Sequence, residues 1–400
     1  MLRALLVGTL LRFTLGFRVA VFGGSGFVGS RVCKTLTDAG CEVVSVSRSG
    51  QPPQWASVSS QPWIEACEWL AEDMLRATSV PLGAIDAAVS CVGNQRPSPD
   101  FEDGSFFGLH WSNASRIENG LLNARIADAA RQAGARRFVL LSASSFSKFA
   151  LGGAIEPYVG GKVDAEDAVR DTFGDDHVGV IGPHLIYGGG RFATLGKLMA
   201  AAFALPPVKG YIKAIRYIKE AASSGFGPED ALTATFLTPP VPVEAVAQAI
   251  AACLLETYDP TKATGAAVPQ PAAMPAINGS GWLDTPANFI DDTAAILAVA
   301  EQFGAPQVLA AAVADERRTP GERSTVTSAT LAPPVLPDGF IQSPSAFGTP
   351  FEGALAGSKP FLFPWPPAAV LVSVFAWAVL QSVTQEQEVL AARAAGAAGL

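Results

Sequence analysis

Short apolar runs alternate with longer amphipathic stretches along the chain from Arg18 to about residue 181. Apolar runs of about four to eight residues between turn residues are typical of buried strands, and an apolar repeat every three or four positions is typical of helices. The predicted strands are 18–22, 42–47, 66–70, 85–92, 137–141 and 178–181, and the predicted helices are 29–39, 119–134 and 158–171. Elements in this order form βαβ units, so the predicted fold class is α/β with a doubly wound parallel sheet.

The composition changes after about residue 256, where Ala, Pro and Gly become frequent and charge becomes sparse. Two stretches there have helical character, 285–303 and 308–317, and 319–360 has the character of an extended linker. The predicted division is 1–17 as a targeting leader, 18–256 as one domain with a small substrate lobe, 257–360 as a Pro/Ala-rich C-terminal extension and linker, 361–383 as a membrane or docking helix, and 384–400 as a tail.

The first 17 residues have the character of an organelle presequence. Arg3 and Arg12 lie among leucines, and no acidic residue precedes Asp38. This composition favours import into the mitochondrion, to the inner membrane or the matrix side, with the plastid as the alternative. An uncleaved apolar leader or a secretory segment is the competing interpretation.

The segment 361–383 contains no charged residue and is long enough to be considered as a membrane segment. Pro364, Pro366 and Pro367 would break its first turns, which leaves 368–383 as a helix of roughly 24 Å at about 1.5 Å per residue. Two interpretations stay open: a segment in contact with a membrane, or a helix that docks on its own domain or on a partner such as a membrane complex.

The charge and the cysteine and histidine spacing exclude several classes. The net charge of −8 comes without a concentrated basic face, so we expect no nucleic-acid partner. The five cysteines form no C-x-x-C pair, and the three histidines fall in no metal-ligand spacing. We therefore expect reduced cysteines and no metal.

A glycine-rich loop follows the first predicted strand and opens the first predicted helix, where it would hold a dinucleotide. Gly23 permits a tight turn, Gly26 lets the backbone approach a pyrophosphate, and Gly29 lets helix and strand pack closely. The phosphates would lie at the helix N-terminus. A glycine-rich turn without a ligand is the alternative. The predicted contacts in this loop are Gly23, Ser25, Gly26, Phe27, Val28 and Gly29.

The residues after the next strands bear on the choice of cofactor. Ser47-Arg48 ends the second strand, where NAD-specific proteins usually carry an acidic residue. A guanidinium there binds a 2′-phosphate, so we expect NADP, with NADPH favoured over NADH. A surface arginine that stacks on adenine is the alternative. Asp73 could bind the adenine amino group, and Gly93 leaves room for the ribose.

Tyr158 and Lys162 form a candidate catalytic pair. Residues four apart share one face of a helix, so both side chains can face one cleft. The pair resembles that of short-chain dehydrogenases, in which such a tyrosine is the proton donor or acceptor and the lysine holds the ribose while its charge lowers the tyrosine pKa. The third member would be Ser142, which has the strand-end position, or Ser144, which has the spacing to the tyrosine.

In these motifs the chain resembles the atypical short-chain dehydrogenase/reductases, which are NAD(P)-binding Rossmann proteins, over about residues 18–256. It is most similar to the organellar plant and algal group related to the fungal coenzyme Q biosynthesis accessory factor, and more distantly to the Rossmann-fold accessory subunit of mitochondrial complex I. The segments GGSGFVGSRVCKTLTDAGCEVVSVSR, NGLLNARIADAARQAGARRFVLLS and FLTPPVPVEAVAQAIAACLL carry the resemblance. It implies that Asn123, on the helix behind the sheet, belongs to the cofactor-binding residues together with Pro183 and Ile186, and that Pro183, Ile186 and Tyr187 line the nicotinamide side. Gly182 departs from the family, which often has arginine there, and the tail after residue 257 has no counterpart.

Three functions remain open at this point. The first is an NADPH-dependent oxidoreductase or isomerase acting on a hydrophobic, quinone-like or carbonyl substrate. The second is a non-catalytic NADP(H)-binding accessory factor of coenzyme Q biosynthesis or of a respiratory complex. The third is a sugar-nucleotide epimerase or dehydratase, whose substrate lobe would need basic residues for a diphosphate. The only candidates for that role are Lys197, Lys209, Lys213, Arg216 and Lys219.

Overall fold

A computed structural model of the chain describes residues 17–53, 61–93, 113–145, 148, 156–189, 192–208, 210, 238–255, 289–303 and 328–336. Nearly all of the expected leader, the helical stretch expected at 308–317 and the uncharged segment 361–383 lie outside the described residues. Within the described ranges, no helix is both long enough and apolar enough to cross a membrane.

Seven parallel strands form the central sheet, and the order of the strands reverses beside the first one. They are β1 (Arg18–Phe22), β2 (Glu42–Ser47), β3 (Cys67–Ala71), β5 (Ala87–Ser90), β6 (Arg137–Leu141), β7 (Val178–Gly182) and β10 (Phe289–Asp291). Their order is β10-β7-β6-β5-β1-β2-β3. The chain continues from β1 to β2 on one side and later returns to β5 on the other side of β1. A crevice therefore opens between β1 and β5 at the carboxyl ends of the strands. Ligands of doubly wound sheets bind in this crevice.

Helices cover both faces of the sheet because the sheet is apolar on both sides. Val19 and Val21 face one apolar core, while Ala20 and Phe22 face the other. The first core is closed by α1 (Gly29–Asp38), α2 (Pro62–Ala66), α7 (Val243–Leu254) and α8 (Asp292–Phe303). The second is closed chiefly by α4 (Leu121–Gln132) and α5 (Glu156–Phe173), with α3 (Asn113–Asn119) packed against both helices. The smaller elements are β4 (Ser79–Val80), α6 (Ala193–Ala204), a short 3-10 helix (Asp175–His177) and a pair of parallel strands, β8 (Ile186–Tyr187) and β9 (Val241–Pro242).

The predicted fold class is confirmed, and most predicted elements agree with the structure to within two residues. One difference is the helix expected at 119–134, which is preceded by α3 and interrupted at Gly120. A Cβ at Gly120 would lie 3.0 Å from the Arg116 carbonyl oxygen and 3.1 Å from the Asp164 Cβ. The break therefore lets the junction of α3 and α4 approach α5 closely.

The seventh strand comes from beyond residue 256, where the sequence analysis ended the domain. Residues 289–291 were expected to belong to a helix at 285–303, but they pair with β7, with Phe289 opposite Val180, and only α8 that follows is helical. A Cβ at Gly182 would lie 2.8 Å from the Phe289 ring. Gly182, the position at which the chain departs from the family it resembles, therefore makes room for the Phe289 ring.

A second segment of the expected linker also joins the domain. Strand β11 (Ala329–Thr330) pairs antiparallel with β4. The buried Arg125 guanidinium on α4 donates to the Ala332 carbonyl, to the Met74 carbonyl at 2.8 Å and to the Ala77 carbonyl at 2.6 Å. One charged side chain thus fastens residues 331–332 to the turn before β4.

Candidate functional site

The glycine loop has the shape that a pyrophosphate requires. Gly23 has a left-handed backbone, with φ of +82°, and its N–H donates to the Val46 carbonyl at 2.8 Å. A Cβ at Gly26 would lie 2.9 Å from the Gly23 carbonyl oxygen, and a Cβ at Gly29 would overlap the same oxygen. Helix α1 begins after Val28 without a side-chain cap. The turn and helix start fit a dinucleotide phosphate, which would accept hydrogen bonds from backbone N–H groups.

Hydroxyl groups gather between the glycine loop and the end of β2. The Ser25 hydroxyl lies 2.8 Å from the Ser47 hydroxyl and donates to the Gln51 carbonyl. The predicted 2′-phosphate ligand, Arg48, is exposed beside Ser47. Asp73 has a role that the sequence analysis did not include, because its carboxylate accepts the Leu75 N–H at 3.1 Å and so shapes the turn after β3.

Lys162 lies at the carboxyl ends of β5 and β6, next to the crevice that opens between β1 and β5. Its ammonium donates to the Leu141 carbonyl at 3.0 Å and to the Val92 carbonyl at 3.4 Å, at the ends of β6 and β5. A Cβ at Gly93 would lie 2.8 Å from the Lys162 Nζ. Burial lowers the pKa of Lys162 to about 8, and the Glu166 carboxylate opposes part of that shift. The ammonium therefore lies at one side of the cleft, and the lysine is still largely protonated at neutral pH.

Tyr158 is buried one turn before Lys162 and packs with Ala143 and Val159. The two candidate serines lie on the strand end and the loop beside it. The Ser142 hydroxyl donates to the Glu166 carboxylate. Ser144 is also buried, and its N–H donates to the Pro183 carbonyl at 3.1 Å. The loop after β6 therefore brings Ala143 against the tyrosine, and Ser144 follows directly in the chain.

A buried group of charged residues, not predicted from the sequence, lies behind this pair. Glu166 Oε1 accepts a hydrogen bond from the Lys148 ammonium at 2.6 Å, and its other oxygen lies 3.7 Å from Arg170. The Lys148 and Glu166 side chains are both only 7% exposed. The available signal was position, because Glu166 follows Lys162 by one helical turn and so shares its face.

Two asparagines connect the helices to the end of β5. The fully buried Asn123 donates to the Asn119 carbonyl at 2.6 Å and accepts the Ser90 hydroxyl at 2.5 Å. Asn123 therefore holds α4 against the sheet, and both ends of its side-chain amide are used within the protein. Asn119, which the sequence analysis did not name, lies nearer the cleft. A Cβ at Gly93 would lie 3.1 Å from the Asn119 side-chain oxygen.

The loop after β7 forms the other side of the cleft. Pro183 is tied to Ser144 by the backbone hydrogen bond described above, and the half-buried Ile186 begins β8, paired with Val241 of β9. Burial raises the pKa of Tyr187, and the Glu244 carboxylate on α7 raises it further. The residues that the resemblance assigned to the nicotinamide side therefore lie on one loop next to the serine loop.

No group of three or more His, Cys, Asp or Glu side chains suited to a metal ion occurs among the described residues. The five cysteines lie on or beside the sheet and form no disulfide with one another.

Comparison with known proteins gives a coarse family likeness. Residues 19–150 match the model of the NAD dependent epimerase/dehydratase family. An uncharacterized chloroplastic protein of Arabidopsis thaliana is 35% identical over 175 residues, which cover 43% of this chain and 51% of the plant protein. MIOREX complex component 2 of Saccharomyces cerevisiae is 39% identical over 62 residues, or 16% of this chain and 22% of the yeast protein. The chain thus spans about half the length of the plant relative and less of the yeast relative.

Among solved structures, the Bordetella bronchiseptica enzyme WbmH in complex with NAD+ is similar, with 12% identity and a TM-score of 0.36. The match covers 59% of this chain and 71% of that one.

Proposed function

We propose that the chain binds NADP(H) and reduces a hydrophobic carbonyl or quinone-like substrate. The observation that carries the proposal is the position of Lys162, whose ammonium bonds the carbonyls that end β5 and β6, one helical turn from Tyr158. The likeness of residues 19–150 to an NAD dependent family supports the cofactor class. The preference for NADPH rests on Arg48.

The chain's own residues have separate tasks in this reaction. Bound NADPH supplies a hydride to the carbonyl carbon of the substrate. Tyr158 donates its hydroxyl proton to the carbonyl oxygen, so hydride and proton together convert the carbonyl to an alcohol. Lys162 binds the ribose hydroxyls, and its positive charge favours release of the tyrosine proton.

Of the two candidate serines, Ser144 orients the substrate oxygen in this proposal. The Ser142 hydroxyl already donates to Glu166, inside the buried group of charged residues. Ser144→Ala should therefore lower turnover about 100-fold, the order of effect expected for one positioned polar group in catalysis. Ser142→Ala should act mainly on stability, because it leaves a buried carboxylate with one donor fewer.

The test of the proposed reaction compares Tyr158→Phe and Lys162→Met with the native chain. NADPH oxidation is followed with a panel of quinones, enones and aldehydes, and dinucleotide binding is measured by calorimetry. We expect Tyr158→Phe to abolish turnover while NADPH still binds. Failure of the native chain to bind either dinucleotide, or an unchanged rate in Tyr158→Phe, would refute the proposed reaction.

The cofactor preference has its own test at Arg48. Removing a guanidinium that pairs with a phosphate should cost about tenfold in NADPH affinity, roughly 1.4 kcal/mol, and leave NADH affinity unchanged. Arg48→Ala is compared with Arg136→Ala, an exposed arginine on the connection between α4 and β6. Equal losses for NADPH and NADH in Arg48→Ala would remove Arg48 from phosphate recognition.

A second candidate is a non-catalytic accessory factor that binds NADP(H) within a larger assembly. The likeness to a protein named as a component of the MIOREX complex favours it. If neither the native chain nor Tyr158→Phe reduces any substrate of the panel, but both complement a deletion strain equally well, the result favours the accessory function over the reductase. The uncharged segment 361–383 is proposed as its contact with a membrane or a membrane complex.

The family likeness also keeps a sugar-nucleotide epimerase or dehydratase as a third candidate. Of its basic residues, Lys197 is exposed on α6, while Lys209, Lys213, Arg216 and Lys219 lie outside the described residues. Binding of UDP-glucose that Lys197→Ala weakens would support this function over the reductase.

We place the protein in an organelle, with the mitochondrion favoured over the plastid because of the arginine-containing leader. The likeness to a chloroplastic plant protein supports an organellar location without deciding the compartment. Cell fractionation followed by carbonate extraction tests both the compartment and the membrane contact. Recovery of the full-length chain in the soluble cytosolic fraction would contradict both proposals.

A further inference from the structure

Arg31 is a buried arginine at the start of α1 that the proposed reaction does not use. Its guanidinium donates to the Phe27 carbonyl at 3.1 Å and to the Ser30 hydroxyl at 3.1 Å, and it stacks over the Phe27 ring. Its other terminal nitrogen donates to the Gly189 carbonyl at 3.3 Å. One side chain therefore joins the glycine loop to a turn that lies 158 residues further along the chain.

The turn that Arg31 reaches consists of two glycines with left-handed backbones. Gly188 has φ of +120° and Gly189 has φ of +52°. A Cβ at Gly188 would lie 3.1 Å from a Glu244 carboxylate oxygen, and a Cβ at Gly189 would overlap the Arg31 guanidinium. Gly188 thus lies against a carboxylate from α7 and Gly189 lies against a cation from α1. A side chain at either glycine would displace the charged group beside it.

Electrostatics favour this arrangement. Burial lowers the pKa of Arg31, and the Glu244 carboxylate opposes that shift. An arginine remains charged under these conditions, and its planar fork can donate to two separate acceptors at once. A lysine has the same charge, but all its donors lie on one nitrogen, so it cannot reproduce the contacts that Arg31 makes to the Phe27 and Gly189 carbonyls through two separate nitrogens.

We propose that Arg31 is a positioning residue that couples the two halves of the cofactor cleft. It fixes the pyrophosphate loop at Phe27 and the nicotinamide-side loop at Gly189 in one relative position, with Glu244 holding the turn from the opposite side. The nicotinamide is then held because the loop that carries Pro183 and Ile186 is kept in place. This inference rests on the proposed function, because it assigns a task toward the same dinucleotide.

The experiment isolates the nicotinamide half by comparing two ligands. Calorimetry measures the affinity for NADPH and for 2′-phospho-ADP-ribose, which lacks only the nicotinamide; if the chain prefers NADH, that dinucleotide and ADP-ribose are used. The variants are Arg31→Ala, Arg31→Lys and Glu244→Gln, and Arg136→Ala is the control. In the native chain the dinucleotide should bind more tightly than its truncated partner. We expect Arg31→Ala to reduce that ratio about tenfold, with Arg31→Lys failing to restore it and Glu244→Gln reducing it by less.

A second measurement separates positioning from a merely structural role. The fluorescence of bound NADPH depends on the surroundings of the nicotinamide, so its emission in Arg31→Ala should shift toward that of the free coenzyme while the truncated ligand still binds within about twofold of the native affinity. Equal weakening of both ligands, or an unchanged ratio in both Arg31→Lys and Glu244→Gln, would overturn the inference. A native chain that binds neither dinucleotide would refute the proposed function itself, a result distinct from these.

Discussion

Replacing Lys162 with methionine should stabilise the ligand-free chain at neutral pH, because a buried ammonium is costly without its ligand. The pKa of Lys162 is lowered to about 8 from an ordinary value of 10.5. At about 1.4 kcal/mol per unit, this shift corresponds to a cost of about 3.5 kcal/mol when the lysine is charged in both states. The substitution also leaves the Leu141 and Val92 carbonyls without this donor, which should destabilise the variant by about 1 kcal/mol for each carbonyl. Lys162→Met should therefore be more stable than the native chain by about 1.5 kcal/mol at pH 7.

The sign of this difference should reverse at high pH. Below pH 8 the folded and unfolded chains both carry the proton, so the folded chain bears the full cost. Between pH 8 and 10.5 the folded chain releases the proton while the unfolded chain keeps it, so native stability rises with pH. By pH 10 about 2.5 kcal/mol of the cost is gone, and Lys162→Met should be the less stable protein by about 1 kcal/mol.

Urea unfolding at pH 7 and pH 10 measures this difference. Burial raises the pKa of Cys41 and Cys91 to about 12, which destabilises the folded chain above pH 9. The Lys162 charge lowers the pKa of Cys91, but both thiols stay protonated at pH 10 with or without that charge, so their contribution cancels in the comparison. Lys197→Met, at an exposed position on α6, is the matched control and should differ from the native chain equally at both pH values. If Lys162→Met shows no more pH dependence than this control, the argument from a desolvated lysine is wrong.

Two further substitutions test other parts of the site. Phe289→Ala removes the ring that fills the space beside Gly182, so it should lower the free energy of unfolding by about 2–3 kcal/mol. The control, Leu297→Ala at an exposed position on α8, should lower it by less than about 1 kcal/mol. Equal losses of the two variants in urea unfolding would contradict this prediction. Gly93→Ala places a Cβ 2.8 Å from the mobile end of Lys162, so it should lower dinucleotide affinity by about tenfold or more and change stability by less than about 1 kcal/mol. If calorimetry shows unchanged dinucleotide affinity, the Lys162 ammonium does not have to occupy its present position for the dinucleotide to bind.

The parallel sheet could be predicted because its information is local. Most strands from β1 to β7 that form the sheet are apolar over three or more consecutive residues, and the glycine loop follows the first of them directly. Strand β10 could not be predicted, because three residues are too few to show periodicity. Its assignment depends on Gly182, more than one hundred residues earlier, whose missing side chain leaves room for Phe289.

The site was predictable where residues close in sequence determine it. Tyr158 and Lys162 are one helical turn apart, so their common face follows from helix geometry. Glu166 lies in an acid-rich stretch typical of a solvated helix face, and it is buried because Ser142 and Lys148, from a separate loop, both bond it. The role of Arg31 could not be predicted for the same reason, since nothing near it in the sequence indicates that the Gly189 carbonyl accepts its hydrogen bond.

The late position of β10 has a consequence for synthesis. When residue 255 leaves the ribosome, the nascent chain already contains six strands of the sheet, but one side of β7 has no neighbour. At about 5–20 residues per second, residue 291 follows roughly 2–7 s later. During that interval the chain has an open strand edge and the apolar surface of α7 that α8 later covers. An open edge of this kind pairs readily with other chains. The nascent protein should therefore depend most on chaperones in these few seconds.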